Sequence, residues 1–377
     1  MYLINSLKYI IMRNQPFSRL RTSIVSAIFS ILSLVAFAQE NSAPRIHIGL
    51  FYPISSNGTH AADYTNWFSL HAIAGLSKAE TGFTLSGAAS IIKENASGAQ
   101  ITGVANVIGQ SASGAQIAGA VNLIGGNSSG AQIAGLSNIT KNDAKGAQLA
   151  GFMNYAGKAD AAQIAGFANI SARDSRGFQL AGFLNKSKNV HSQISGFANI
   201  AKKVTGVQLA GFINIADSSD YPIALFNFIK NGEKSISLSI DETLTSMATF
   251  RSGGRVLYGI TGVGYNLKDN DKTLYGLEAG LGAHVPVADP FRINLEAVSQ
   301  TLTDFKDGGY FKNSLRILPA YKIGQRFEVF AGPTVNYVSY EREDNYNFIK
   351  KFIWKNDGTK DFQGVYIGFN AGIQLIL

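Results

Sequence analysis

Between Gln100 and Asn214 the chain writes one phrase eight times, Gly-Ala-Gln-Ile-Ala-Gly-Phe-Xaa-Asn-Ile with small variations, and self-similarity of that strictness restricts it to a repeat architecture. The Gln recurs at Gln100, Gln116, Gln132, Gln148, Gln163, Gln179, Gln193 and Gln208, and the Asn at Asn106, Asn122, Asn138, Asn154, Asn169, Asn185, Asn199 and Asn214. A Gly stands between each pair, and the period is 14–16 residues. A degenerate copy leads the series from Gly82, with Thr84 and Ser90 in place of the amides, and Pro222-Ile223-Ala224-Leu225-Phe226 closes it. Atypical terminal copies are what a stack of repeats needs where it stops.

One copy reads as extended chain. Gly and Asn recur in every unit, and Gly alone costs a helix about 1 kcal/mol relative to Ala. Turn-forming stretches such as Lys141-Asn142-Asp143-Ala144-Lys145 separate the copies. Two architectures compete. In a parallel β-solenoid, identical positions stack about 4.8 Å apart, so Gln-on-Gln and Asn-on-Asn ladders form and the polar positions repeat as faithfully as the apolar ones. In an antiparallel membrane barrel, successive strands run in opposite directions and nothing favours one directional phrase repeating unchanged. The solenoid is the expectation, with the 16 Gln and Asn positions named above as a structural ladder.

The first residues point to export. Lys8, Arg13, Arg19 and Arg21 precede an apolar run over 22–35, which ends in Ala36-Phe37-Ala38 before Gln39; residues 1–38 have the pattern of a cleaved secretory signal peptide. Met12 is an alternative start that leaves this leader intact. The chain has no Cys, hence neither a lipobox nor a disulfide framework. The formal charge of +8 is partly leader, and the remainder is scattered without the clustered bases and stacking aromatics of a nucleic-acid surface.

After the repeats the period changes to two. Tyr275, Leu277, Ala279, Leu281 and Ala283 alternate with Gly276, Glu278, Gly280, Gly282 and His284, and 291–302, 326–339 and 363–377 behave alike. One face is apolar throughout and the other carries charge and glycine, which in an exported chain points to a barrel facing lipid. Eight strands are expected, near 45–52, 233–251, 255–266, 273–285, 291–302, 311–322, 326–339 and 363–377; Asp241-Glu242 marks 233–251 as a possible hairpin, which would raise the count to nine or ten. The domain plan is then 1–38 leader, 39–54 first barrel strand, 55–81 lead-in, 82–232 repeat array and 233–377 remaining barrel strands. With both termini periplasmic, the short turns fall inside, while 304–309, 341–362 and the array, lying between strands one and two, fall on the cell surface. Arg292, Glu296, Glu278, Arg316, Arg326 and Glu328 belong to the inward face, as a salt-bridged plug or a charged pore. Tyr346, Phe348, Phe352 and Trp354 in the long loop form an adhesive patch or pack the loop down.

The repeats resemble the surface-repeat proteins of Gram-negative bacteria, whose units run Gly-Xaa-Gln-Xaa-Ala-Gly-Xaa-Xaa-Asn. The likeness covers about 68–241, including Phe68-Ser69-Leu70 before the array and Lys230-Asn231-Gly232 after it. The resemblance implies location and repeat, with no catalytic residues. The five histidines are scattered, without metal-ligand spacing, and Gly259-Ile260-Thr261-Gly262-Val263-Gly264 lacks the Lys and Ser/Thr of a nucleotide loop. No enzyme activity, cofactor or metal is therefore expected. The expected function is a non-enzymatic outer-membrane protein, a barrel anchor presenting a repeat domain for structural or recognition use. Its partners are outer-membrane lipid and an extracellular ligand the sequence does not identify, with no nucleic acid. The rivals are a porin-like transporter whose repeats are membrane strands, and self-association through ladder ends.

Overall fold

The computed structural model describes residues 45–268, 273–306, 309–344 and 346–377. The leader, 1–38, lies outside them. The chain is all-β and forms two compact units, one ending at Gly151 and one running from Phe152 to Leu377. Together they hold about ten turns of solenoid and a closed, eight-stranded antiparallel barrel.

In the first unit most coils contribute two short strands that meet at the phrase's second Gly, and Ser137–Ala150 runs as one strand through 141–145, where a turn was expected. Ser128–Ala134 pairs in parallel with Ala112–Ala118, register Gln132 to Gln116, and Val121–Ile124 pairs with Ala105–Ile108, register Asn122 to Asn106. Identical residues therefore sit one above another. The Gly is required by closeness: a Cβ on Gly119 or Gly135 would overlap the carbonyl oxygen of the equivalent Gly one coil away. The phrase's first Gly meets another demand, since Gly114 and Gly130 adopt φ of 92° and 113°, left-handed values that disfavour a side chain.

Coils begin earlier than the repeat phrase does. Arg45–Phe51 is not a barrel strand: it pairs in parallel with Thr65–His71, which pairs with Ala79–Ser86. The expected first barrel strand over 39–54 and the lead-in over 55–81 are, where described, coils of the solenoid. Their alternation misled because an outward-inward period of two serves a solenoid coil as well as a barrel strand.

The second unit continues with coils from Met153 and then forms the barrel. Its strands are β1 Lys234–Asp241, β2 Thr245–Gly253, β3 Leu257–Asn266, β4 Tyr275–Ala288, β5 Phe291–Thr303, β6 Tyr310–Ile323, β7 Phe327–Glu341 and β8 Asp361–Ile376. Neighbours are antiparallel, and β1 closes the ring on β8, Ser235 opposite Ile376 and Asp241 opposite Asn370. The stretch 233–251, expected as one strand with a hairpin at Asp241-Glu242 as the alternative, is the hairpin. Asp241 turns it, its Oδ1 accepting from the amides of Thr243 at 2.9 Å and Thr245 at 3.1 Å, with Leu244 at φ 58°. That extra strand replaces 45–52, so the count stays at eight.

This connectivity overturns the premise that placed the array between two barrel strands. The coils lead directly into β1, at the end of the barrel that carries the short links 254–256, 289–290 and 324–326. The opposite end carries the tight turn 242–244 and the longer links 267–274, 304–309 and 342–360.

Candidate functional site

The repeated amides line the solenoid interior, all sixteen of them at most 2% exposed. Asn106 Nδ2 donates to Asn122 Oδ1 at 2.8 Å, and Asn122 repeats the bond to Asn138 at 2.8 Å. In the second unit the chain runs Asn154, Asn169, Asn185, Asn199, Asn214 and on to Asn227, at 2.9–3.0 Å. Each Asn amide also reaches backbone carbonyls, as Asn169 does to Gln163 at 3.1 Å and Leu180 at 2.7 Å, pinning the Gly corner from inside. The Gln ladder is less continuous. Gln116 bonds Gln100 at 3.0 Å, and Gln179, Gln193 and Gln208 each bond the Gln one coil before at 2.8–3.2 Å. Gln148 bonds Gln132, but Gln116 Oε1 and Gln132 Nε2 do not meet; Gln132 Oε1 instead also accepts from Thr140 at 3.2 Å.

The barrel lumen is filled by charge. Arg251 Nε lies 2.8 Å from Glu296, and Arg316 spans Glu278 at 2.8 Å and Glu296 at 3.5 Å. Arg292 bridges Glu328 at 2.6 Å and Glu233 at 2.6 Å, and Lys312 pairs with Asp241. Every one of these except Glu233 is nearly fully buried. Eight strands enclose just enough room for side chains, and here the charged ones pair with one another in the interior, the arrangement that the plug expectation describes. Arg326 departs from its expected place: it lies exposed in the link after β6. Arg251, Asp241 and Lys312 were missed, the first two because the hairpin was read as one strand.

Aromatic side chains of the link 342–360 pack at the opposite end. Tyr346, Phe348 and Phe352 pack on Leu302, Tyr310, Val338 and Tyr366, so these three loop aromatics fold inward, whereas Trp354 stays exposed on a short strand, Trp354–Asp357, paired with β8. Outside, the wall is apolar and open: Leu238, Val263, Leu277, Leu315, Ile317, Val335, Ile367 and Phe369 are all exposed. Aromatic contacts mark both rims, Tyr265, Tyr275 and Phe305 at the long-link end and Phe291 with Tyr321 at the other.

The last coil docks on β2 and β3. Asn227 receives the final ladder bond, donates its amide N–H to Ser252 Oγ at 2.9 Å and its side chain to the Ser252 carbonyl at 3.1 Å. Gly259 is bare because the carbonyls of Ala224 and Leu225 occupy the space of a Cβ. The glycines over 259–264 thus admit a coil as well as barrel side chains.

The opening coils hold a polar interior where later copies have Gln and Ala. His47 Nδ1 lies 3.1 Å from His71 Nε2, and His71 Nδ1 lies 3.2 Å from Ser86 Oγ. Burial, then the neighbouring His71, pushes His47 down to about 3, and burial lowers His71 to about 4. Glu80, which accepts from Ser69 at 2.8 Å and Asn66 at 3.1 Å, has its carboxyl raised by burial against those bonds. Among the described residues no group of three or more His, Cys, Asp or Glu converges as a metal site. No family model, curated protein or solved structure matches this chain.

Proposed function

We propose that this chain is a non-enzymatic outer-membrane protein whose barrel is the anchor and whose solenoid is the presented part, in structural or recognition use. The barrel's inverted polarity carries the reading. Ionised side chains are interlocked inside while Leu, Ile, Val and Phe face outward between two aromatic rims, a distribution that hydrocarbon stabilises and water does not. The parallel pairing of the repeats removes the rival in which they are antiparallel membrane strands of one large barrel. Self-association through a ladder end has no support at the last coil, whose edge the barrel occupies. Small outer-membrane barrels keep short turns on the periplasmic side and long loops outside. The coils therefore belong on the periplasmic side in this reading, and the recognised partner is periplasmic instead of extracellular.

Because the chain has no natural cysteine, Lys202→Cys on an exposed solenoid corner and Lys355→Cys in the long loop report each side to a membrane-impermeant maleimide. In intact cells Lys355→Cys should label, and Lys202→Cys only after the outer membrane is permeabilised. The reverse pattern refutes the sidedness. Recovery of the protein as a soluble species, or steady conductance in planar bilayers, refutes the plugged anchor.

A further inference from the structure

The second unit carries a row of exposed aromatic rings along one edge. The residue after the corner Gly is Phe at 152, 167, 183, 197 and 212, and the rings stack with centroids 4.8–5.1 Å apart and planes within 2–7° of parallel. Stacking covers both faces of Phe167, Phe183 and Phe197, yet all five rings remain at least 40% exposed. An unbroken apolar strip of this kind on a water-bathed solenoid is an aggregation hazard unless something covers it.

The row does not end at the solenoid. Phe212 meets Phe226 at 5.3 Å, Phe226 meets Phe228 at 6.5 Å, and Phe228 meets Phe250 on the outer wall of β2 at 6.4 Å. Phe226 also borders a groove on that wall with Ile236, Ala248, Val263 and Leu277. The exposed edge is therefore continuous with the surface that faces lipid in the anchor reading. Aromatic character is also confined to the five copies nearest the barrel in sequence, for the same position holds Val104, Ala120 and Leu136 earlier. A recognition surface for a soluble partner gives no reason for that gradient; proximity to a bilayer does, since aromatic rings settle at the boundary of headgroup and acyl chain.

We propose that the Phe152–Phe167–Phe183–Phe197–Phe212 edge is a lipid-binding surface, seated in the leaflet that the short-turn rim of the barrel enters. The coils from Met153 to Ile229 lie along that leaflet, with their ring edge about 5–10 Å into the boundary region and their Lys202 corner in water. The inference rests on the barrel's spanning the membrane, and its test separates the two.

The full chain is reconstituted in vesicles of phosphatidylethanolamine and phosphatidylglycerol carrying brominated acyl chains, with Trp67 and Trp354 replaced by Phe. Single reporters are Phe183→Trp and Phe197→Trp on the edge, Phe369→Trp on the barrel wall and Lys202→Trp on the far corner. Each variant is first required to show the compact, unheated gel form of the parent. Bromine should quench both edge reporters and the wall reporter strongly and leave Lys202→Trp bright. A bright edge beside a quenched wall overturns the lipid-binding edge and leaves the anchor standing, the edge then being covered by protein or water. A bright wall overturns the anchor itself. Two edge positions guard against one local rearrangement, and disagreement between them also counts against a continuous seated edge.

Discussion

Replacing Asn185 with Val tests whether the amide ladder holds the coils together. Asn185 is fully buried; its Nδ2 donates to Asn199 Oδ1 at 3.0 Å and to the Ile194 carbonyl at 2.7 Å, and its Oδ1 accepts from Asn169 at 3.0 Å. The variant leaves Asn169 two backbone acceptors but takes from Asn199 Oδ1 its ladder donor. A stranded buried acceptor costs about 1–3 kcal/mol and each lost neutral bond about 0.5–1.5 kcal/mol, so local stability should fall by roughly 3 kcal/mol. At 1.4 kcal/mol per decade that is on the order of a hundredfold faster opening, readable by amide hydrogen exchange of peptides covering 175–216 in the detergent-solubilised full chain. Asn142→Val, at an exposed position outside the ladder, should leave exchange of its own coil unchanged. The sharper test is the pair. In Asn185→Val with Asn199→Val the stranded Asn199 oxygen is gone, so the double variant should cost less than the sum of the singles by about 1–3 kcal/mol. Strict additivity, or equal effects at Asn185 and Asn142, would refute a ladder whose members depend on one another.

Three further outcomes follow from buried ionisable groups. His47 and His71 are held neutral when folded, at about 3 and about 4 against an ordinary 6.5; below pH 6.5 the unfolded chain binds protons that the folded one refuses, so stability of the opening coils should fall as pH drops from 6.5 through about 4. His71→Gln should flatten that slope in hydrogen exchange of 45–92, and an unchanged slope would exclude the pair as its cause. Glu80 has the opposite sign, its raised carboxyl favouring the fold at low pH and opposing it at neutral pH, so Glu80→Gln should stabilise these coils at pH 7. In the lumen, Arg316→Met leaves Glu278 and Glu296 without their shared cation and should cost about 3–5 kcal/mol. The temperature at which the compact gel form is lost should drop, and no change would contradict an interlocked plug.

Strict repetition of the phrase was enough to identify the coils and their register, because only in-register parallel stacking places Gln132 on Gln116 and Asn122 on Asn106. Alternation from Val256 onward was likewise enough for barrel strands, since period two puts one apolar and one polar face on a sheet. What alternation leaves undetermined is the neighbour. Arg45–Phe51 alternates like a barrel strand, and only the parallel bonds to Thr65–His71 made it a coil. The hairpin at Asp241 depended on a side chain capturing two amides, a local competition that pattern alone does not resolve. Ion pairing in the lumen joins residues far apart in sequence, Arg251 with Glu296 and Arg292 with Glu233, so it appears only when the ring closes. The Phe edge has the same origin. The sequence placed a Phe after the last five corner Gly residues, but stacking of the coils aligned the rings, and docking of the last coil on β2 carried them onto the barrel wall.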